Sequence, residues 1–256
     1  MTMDLLIDIG NTRIKWAHLA EGRIGEQSAA AHAGWTADDF IRHVLSPTPP
    51  AERVFIGNVG GERTADLARE AIVRAWQVEP RFVHSPAAQA GIRNAYPDPA
   101  RLGVDRWLAM LGARALESRP LCVVSVGTAM TIDGLDAGGQ HLGGVIVPGA
   151  DLMVSSLLTN TSDIARRAVG GQARDELFAD NTLGAIQQGA VHALAALVDR
   201  AYETLRRGLG EPPVLLLTGG GSARIKGAIH APGREIPDLV LRGLAVVAML
   251  PESANT

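Results

Sequence analysis

Residues 5–16 read LLIDIGNTRIKW and residues 123–134 read VVSVGTAMTIDG. In each stretch an apolar run short enough to be a buried strand meets a small polar turn, glycine followed by Asn or Thr, and a second strand-like run leaves it. One copy is an ordinary hairpin. Two copies, about 117 residues apart and each opening one half of the chain, predict a duplicated α/β domain whose two turns are anion-binding elements facing one cleft.

The pattern extends outward from the first copy. Segments 53–56 (RVFI) and 81–84 (RFVH) predict further strands, with a helix over 62–76 between them that turns Leu67, Ala71 and Trp76 inward. Pro47, Pro49 and Pro50 mark a loop before the third strand. Val104, Leu108, Leu111 and Ala115 recur at helical spacing, so 96–119 reads as a helix crossing out of the first half. After the second copy come a third strand at 142–147, a long helix over 183–207 carried by Leu183, Ile186, Ala190, Leu194 and Leu197, and a strand at 214–217 that runs into TGGGSARI. An amphipathic stretch at 239–250 closes the chain. Two domains follow, 1–118 and 119–256.

Composition excludes several classes. With 256 residues, 46% hydrophobic and 20% charged, the chain can build a core without disulfides or structural metal and is not a disordered polymer. Its 24 basic and 27 acidic residues are mixed without a basic block, so no electrostatic footprint for nucleic acid is expected. Asp4 and Asp8 interrupt the first apolar run, and no later stretch is long and uncharged enough for a membrane span. Cys122 is the only cysteine and lies in LCVV, which fits a reducing cytoplasm. Only Lys15 and Lys226 are lysines, and neither follows glycine as a P-loop requires. No GxGxxG opens the chain, and the histidines at 18, 32, 43, 84, 141, 192 and 230 form no HExxH or close His/Cys group, so zinc has no ligand set.

The remaining polar residues suggest phosphate chemistry. Backbone N–H groups of glycine-rich turns bind phosphate, helped by side chains such as Asn11, Thr12, Thr128 and Thr131. Asp8 either helps hold hydrated magnesium or caps its own turn. Lys15 either reaches the phosphate side or lies on an exposed strand face. GVDRW at 103–107 is a polar island among apolar residues. There a carboxylate, Asp105, can orient an alcohol and accept its proton, and Arg106 can grip an acidic substrate bidentately. The plainer reading makes both solvent-facing members of an amphipathic helix.

DIGNT (8–12), LGVDRW (102–107), GTAMTID (127–133), GGVIVPG (143–149), NTLGAIQQG (181–189) and TGGG (218–221), in this order, resemble the type III pantothenate kinases. The resemblance implies two ribonuclease-H-like domains of the acetate and sugar kinase/Hsc70/actin fold. It also implies phosphorylation of pantothenate by ATP, use of Mg2+ and a monovalent cation (K+ or NH4+), and a cytoplasmic homodimer with no nucleic-acid or membrane partner. By the same resemblance Asp8, Ile9, Gly10, Asn11, Thr12, Arg13, Ile14 and Lys15 form the first ATP-phosphate loop, with Asp8 holding magnesium directly or through water. Gly127, Thr128, Ala129 and Thr131 form the second, and Gly219, Gly220 and Gly221 approach the base and ribose. Tyr96, Gly103, Val104, Asp105 and Arg106 line the pantothenate pocket, Asp105 as the base and Arg106 as the carboxylate anchor. Thr182 reaches that pocket from the partner subunit.

One position departs from the family pattern. Ser125 stands where members often carry the aspartate of the monovalent-cation site, which predicts a weaker cation dependence or other ligands. Two rival readings are a non-catalytic nucleotide-binding regulatory module on the same fold and another small-molecule kinase or phosphohydrolase.

Overall fold

Strand β1 (Met3–Ile9) turns through Gly10–Thr12 into β2 (Arg13–Ala20), antiparallel, with Asp8 opposite Lys15. The short strands β3 (Arg23–Ile24) and β4 (Ser28–Ala31) both pair with β2. On the other side of β1 lie β5 (Arg53–Asn58) and then β6 (Arg81–Phe82), both added in parallel. The order is β3-β2-β1-β5-β6. Leu5, Ile7, Ile9, Val54 and Ile56 alternate with the opposite face and pack with α1 (Ala37–Phe40), a π-helical turn at Ile41–Leu45 and α2 (Glu62–Trp76). Fully burying each such side chain is worth about 1.5–3 kcal/mol. A hairpin of β7 (Ala88–Gln89) and β8 (Ile92–Arg93) and a 3-10 turn at Pro99–Arg101 lead to α3 (Val104–Leu116).

The computed structural model describes residues 3–171 and 176–251. In its second unit β9 (Leu121–Val126) is antiparallel to β10 (Ala129–Leu135), which β11 (His141–Pro148) flanks. β12 (Val214–Thr218) runs parallel to β9, and β13 (Gly233–Glu235) parallel to β12. The order β11-β10-β9-β12-β13 repeats the first sheet strand for strand. The helices are α4 (Ala150–Asn160), α5 (Ser162–Ala168), α6 (Thr182–Leu209) and α7 (Ser222–Lys226). Asn181 caps α6 by accepting the Gly184 N–H at 2.8 Å, and the helix lays Val191, Leu194 and Val198 onto Cys122, Val124, Ile132, Leu215 and Leu217. The duplicated α/β domain expected from the two quoted stretches is therefore present, one copy in each unit.

Three expectations need correction. Residues 96–103 are not α-helical: Pro97 and Pro99 bias the residues before them to extended backbone, only a 3-10 turn forms at Pro99–Arg101, and α3 begins at Val104. The strand at 81–84 shortens to Arg81–Phe82. The closing helix α8 (Leu239–Met249), assigned by the sequence to the 119–256 domain, packs on α3 in the first unit. That unit comprises the chain up to Ser118, Gly138–His141 and the stretch from Asp238 onward; the second is Arg119–Ala137 and Leu142–Pro237. The cause is the composition of α8, where Leu239, Leu241, Leu244, Ala245, Val247 and Ala248 are all buried and demand cover on more than one face. Arg53 fastens the arrangement, holding buried Asp4 with two bonds of 2.8 and 2.6 Å while donating to the Ala248 carbonyl at 3.2 Å. No described helix is long and apolar enough to cross a membrane.

Candidate active site

The first unit gathers its charged candidates at one end of its sheet. Asp8 and Lys15 are cross-strand partners, and Asp8 also lies opposite Gly57 of β5. Paired positions share a face, so Asp8, Lys15 and Gly57 point the same way. A side chain on Gly57 would come within 2.6 Å of Leu108, so this is the face on which α3 lies. Asp105 is one turn nearer the N-terminus of that helix, and its charge is felt at Asp8. The Asp8 carboxyl is pushed up to about 7: burial dominates, Lys15 opposes it, and Asp105 adds to it. Lys15 thus shares a face with Asp8 and is half-buried, which does not fit the exposed-face reading.

Asp105 sits in the first turn of α3, where the helix dipole favours negative charge, and its Oδ1 accepts the Arg106 N–H at 2.9 Å. Gly103 caps the helix, its carbonyl accepting the Trp107 N–H at 3.1 Å, and Val104 is partly buried beside it. Arg106 is 4% exposed, so the solvent-facing reading does not hold for it. Its guanidinium donates to the Tyr96 hydroxyl at 3.0 Å and lies 5.8 Å from that ring's centre. The structure therefore joins Tyr96 and Arg106 directly.

The turn itself is exposed at Asn11, Thr12 and Arg13, whereas the side chains of Ile9 and Ile14 are fully buried in the core. Only the backbone of those two can serve a ligand. The Gly10 N–H closes the hairpin on the Arg13 carbonyl at 3.0 Å. Asn11 also lines a cavity of about 180 Å³ with Ile14, His32, Trp35, Arg63 and Thr64, which is smaller than nucleotide pockets usually are.

In the second unit Gly127 and Thr128 are exposed, Ala129 and Thr131 follow on β10, and the Gly127 N–H closes on the Ala129 carbonyl at 2.9 Å. Gly221 donates to the Val126 carbonyl at 3.0 Å, which sets the Gly219–Gly221 segment against this turn. Ser125 is paired with Thr131 on one side and Thr218 on the other. The row offers three hydroxyls and no carboxylate. Thr182, the first residue of α6, lines an apolar groove of about 960 Å³ with Leu152, Met153, Leu157 and Ile186.

No three His, Cys, Asp or Glu residues cluster for a metal among the described residues. Asp8 nevertheless fits magnesium: a partly buried carboxylate raised by desolvation and by a second carboxylate gains most from a hard divalent cation that keeps water and phosphate as its other ligands. The hydroxyl row at Ser125 lacks the charge that favours a strongly held monovalent ion.

Two histidines were missed by sequence reading. His141, 1% exposed, stacks on Tyr96 with ring centres 6.2 Å apart and accepts the Ala95 N–H at 3.4 Å. His32 lies 2.8 Å from the Gly10 carbonyl oxygen. His141 opens β11 and His32 follows β4, both as isolated histidines that no local pattern marks.

A family model described as type III pantothenate kinase matches residues 4–204. A type III pantothenate kinase of Nitrosococcus oceani is 36% identical over 251 residues, covering 96% of this chain and 94% of the relative. Among solved structures, a Baf-family protein of Campylobacter jejuni matches with TM-score 0.57 and 21% identity, over 95% of this chain and 97% of that one. Component A of the (R)-2-hydroxyglutaryl-CoA dehydratase of Acidaminococcus fermentans matches with TM-score 0.54 and 14% identity, over 97% and 96% of the two chains. These two structural likenesses bear on the fold, that of the acetate and sugar kinase/Hsc70/actin group.

Proposed function

The chain belongs to the type III pantothenate kinase family, and from that premise we propose that it transfers the γ-phosphoryl group of ATP to the primary hydroxyl of pantothenate, the first step of coenzyme A synthesis. The observation that carries this reading is that the charge of Asp105 reaches buried Asp8 on the face of the first sheet where α3 lies, with the neighbouring Arg106 buried against Tyr96. The non-catalytic alternative finds no support among the relatives.

Asp105 orients the pantothenate hydroxyl and takes its proton as the oxygen attacks phosphorus; the bond from the γ-phosphorus to the bridging oxygen breaks, and ADP leaves. Arg106, with the Tyr96 hydroxyl beside it, receives the pantothenate carboxylate. Each glycine turn presents backbone N–H groups to phosphate oxygens, Gly10–Thr12 in the first unit and Gly127–Ala129 in the second, and Gly219–Gly221 serves the base and ribose. Asp8 is the residue that would hold Mg2+, which when bound would supply positive charge to the phosphate oxygens. Lys15 adds a second cation on the same face.

Three finer features belong to the same proposal. A second copy of the chain covers the apolar face of the second unit, where Ile146 is 59%, Leu152 43% and Leu157 42% exposed. Thr182 on that face then contributes to the partner's pantothenate site. The enzyme works in the cytoplasm, with Cys122 a buried, inert thiol pushed up to about 12 by burial. Monovalent-cation dependence is weak, because Ser125 brings no charge.

The test is an acceptor screen with γ-labelled ATP, run separately in sodium, potassium and ammonium. Label on pantothenate and on no other small alcohol is expected. ATP binding with no label on any acceptor would return the non-catalytic module, and label on a different alcohol would keep the kinase and remove pantothenate.

A further inference from the structure

His32 follows β4 directly, is 9% exposed, and touches the first turn twice. Its backbone N–H donates to the Thr12 carbonyl at 3.4 Å, and its Nε2 lies 2.8 Å from the Gly10 carbonyl oxygen. A carbonyl oxygen only accepts, so that contact requires the proton on Nε2. We propose that His32 is a positioning residue for ATP: by holding the Gly10 carbonyl, it aims the Asn11 N–H at a phosphate oxygen. This rests on the ATP-binding role given above to the Gly10–Thr12 turn.

The geometry follows from the peptide plane. The Gly10 carbonyl and the Asn11 N–H belong to one trans peptide and point in opposite directions. Fixing the carbonyl toward His32 therefore fixes the N–H away from it. The imidazole is itself restrained, with Trp35 packed edge-on at 6.3 Å and 73°, and Trp35 stacked in turn on His43 at 5.2 Å.

The second unit supplies an internal control. Gly149 follows β11 as His32 follows β4, and its N–H donates to the Thr128 carbonyl at 2.8 Å. A Cβ at Gly149 would lie 2.2 Å from the Gly127 carbonyl oxygen, so here bare backbone closes over the carbonyl equivalent to that of Gly10. Both turns thus have this carbonyl covered by the residue that follows a strand paired with the second strand of the turn. Only in the first unit does the cover come from a side chain, and only there can substitution remove it without moving the backbone.

The experiment compares His32→Met, which keeps bulk and loses the donor, with His32→Gln, whose amide can place an N–H near the same point. ATP with Mg2+ and pantothenate are titrated separately by calorimetry, and both KM values are measured. His32→Met should bind ATP about tenfold more weakly and pantothenate within about twofold of wild type, with His32→Gln restored to within about threefold for ATP. Unchanged ATP affinity in His32→Met would overturn the proposal, as would a Gln variant no better than Met. Should His32→Met show no cooperative thermal transition, His32→Asn, whose shorter amide cannot reach Gly10, takes its place under the same criteria. A wild-type protein that binds ATP without phosphorylating pantothenate would defeat the kinase reading alone, and the ATP titrations would still decide the role of His32.

Discussion

In the first unit the turn glycine closes on Arg13, three residues on; in the second it closes on Ala129, two residues on. Opposite Asp8 stands Lys15, whereas opposite Ser125 stands Thr131. The strand order is common to both sheets, so duplication preserved the scaffold that presents backbone N–H groups. The charges differ. Asp8, Lys15, Asp105 and Arg106 all belong to the first unit, and the matching row of the second is Ser125, Thr131 and Thr218. One turn therefore has carboxylates and cations beside its backbone donors, while the other has backbone donors and neutral hydroxyls.

That contrast is broken most severely at Asp105. Asp105→Asn should lower turnover by about 10³-fold, within the usual range for a lost general base, while the Kd for ATP moves by less than about threefold. Steady-state kinetics with parallel nucleotide titration checks this, and equal turnover would remove Asp105 from the chemistry. Arg106→Ala comes next. Losing a charged anchor should weaken pantothenate binding by about 10- to 100-fold with the KM for ATP unchanged, and wild-type affinity in a calorimetric titration would count against it.

Asp8 gives a prediction of opposite sign for activity and stability. Because folding raises its pKa from 3.8 to about 7, the folded state binds the proton more tightly than the unfolded chain. The stability this contributes is complete below the unfolded value and is lost as pH rises through about 7. Metal-free Asp8→Asn should therefore melt a few degrees above wild type at pH 8, at about 2–4 °C per kcal/mol, while losing Mg2+-dependent activity. Scanning calorimetry in EDTA at pH 5 and pH 8 tests the sign; a variant that melts lower than wild type at pH 8 would refute it. The smallest effect concerns cations. Wild-type rates in potassium and sodium should differ by less than about threefold, and Ser125→Asp should widen the gap by giving the neutral row a carboxylate. A large potassium requirement in wild type would show that other ligands hold the ion.

The two strand-turn-strand stretches made the duplication legible, because buried strands ending in Gly-Asn and Gly-Thr leave few other folds open. Long elements such as α6 were also readable, since three-four spacing over 28 residues has no competitor. Short ones were not: β4 and β13, with four and three residues, are set by their neighbours and not by their own pattern. Helix α4 was missed because Leu152 and Leu157 face outward, so no single apolar stripe appears. The packing of α8 on α3 is a long-range choice invisible in either helix alone. For the site, GVDRW and DIGNT were visible as motifs. The burial of Arg106, the pressure of Asp105 on Asp8, and the reach of His32 to Gly10 arise only once the chain is folded.

The central claim is that the first unit performs the proton transfer, with Asp105 as the group that accepts it. Single-turnover transfer from γ-labelled ATP to pantothenate, with enzyme in excess and nucleotide binding confirmed on the same samples, tests it most directly. Wild type should label pantothenate fully, while Asp105→Asn proceeds at less than about 1% of that rate with ATP still bound. Equal single-turnover rates in the two proteins would contradict the account.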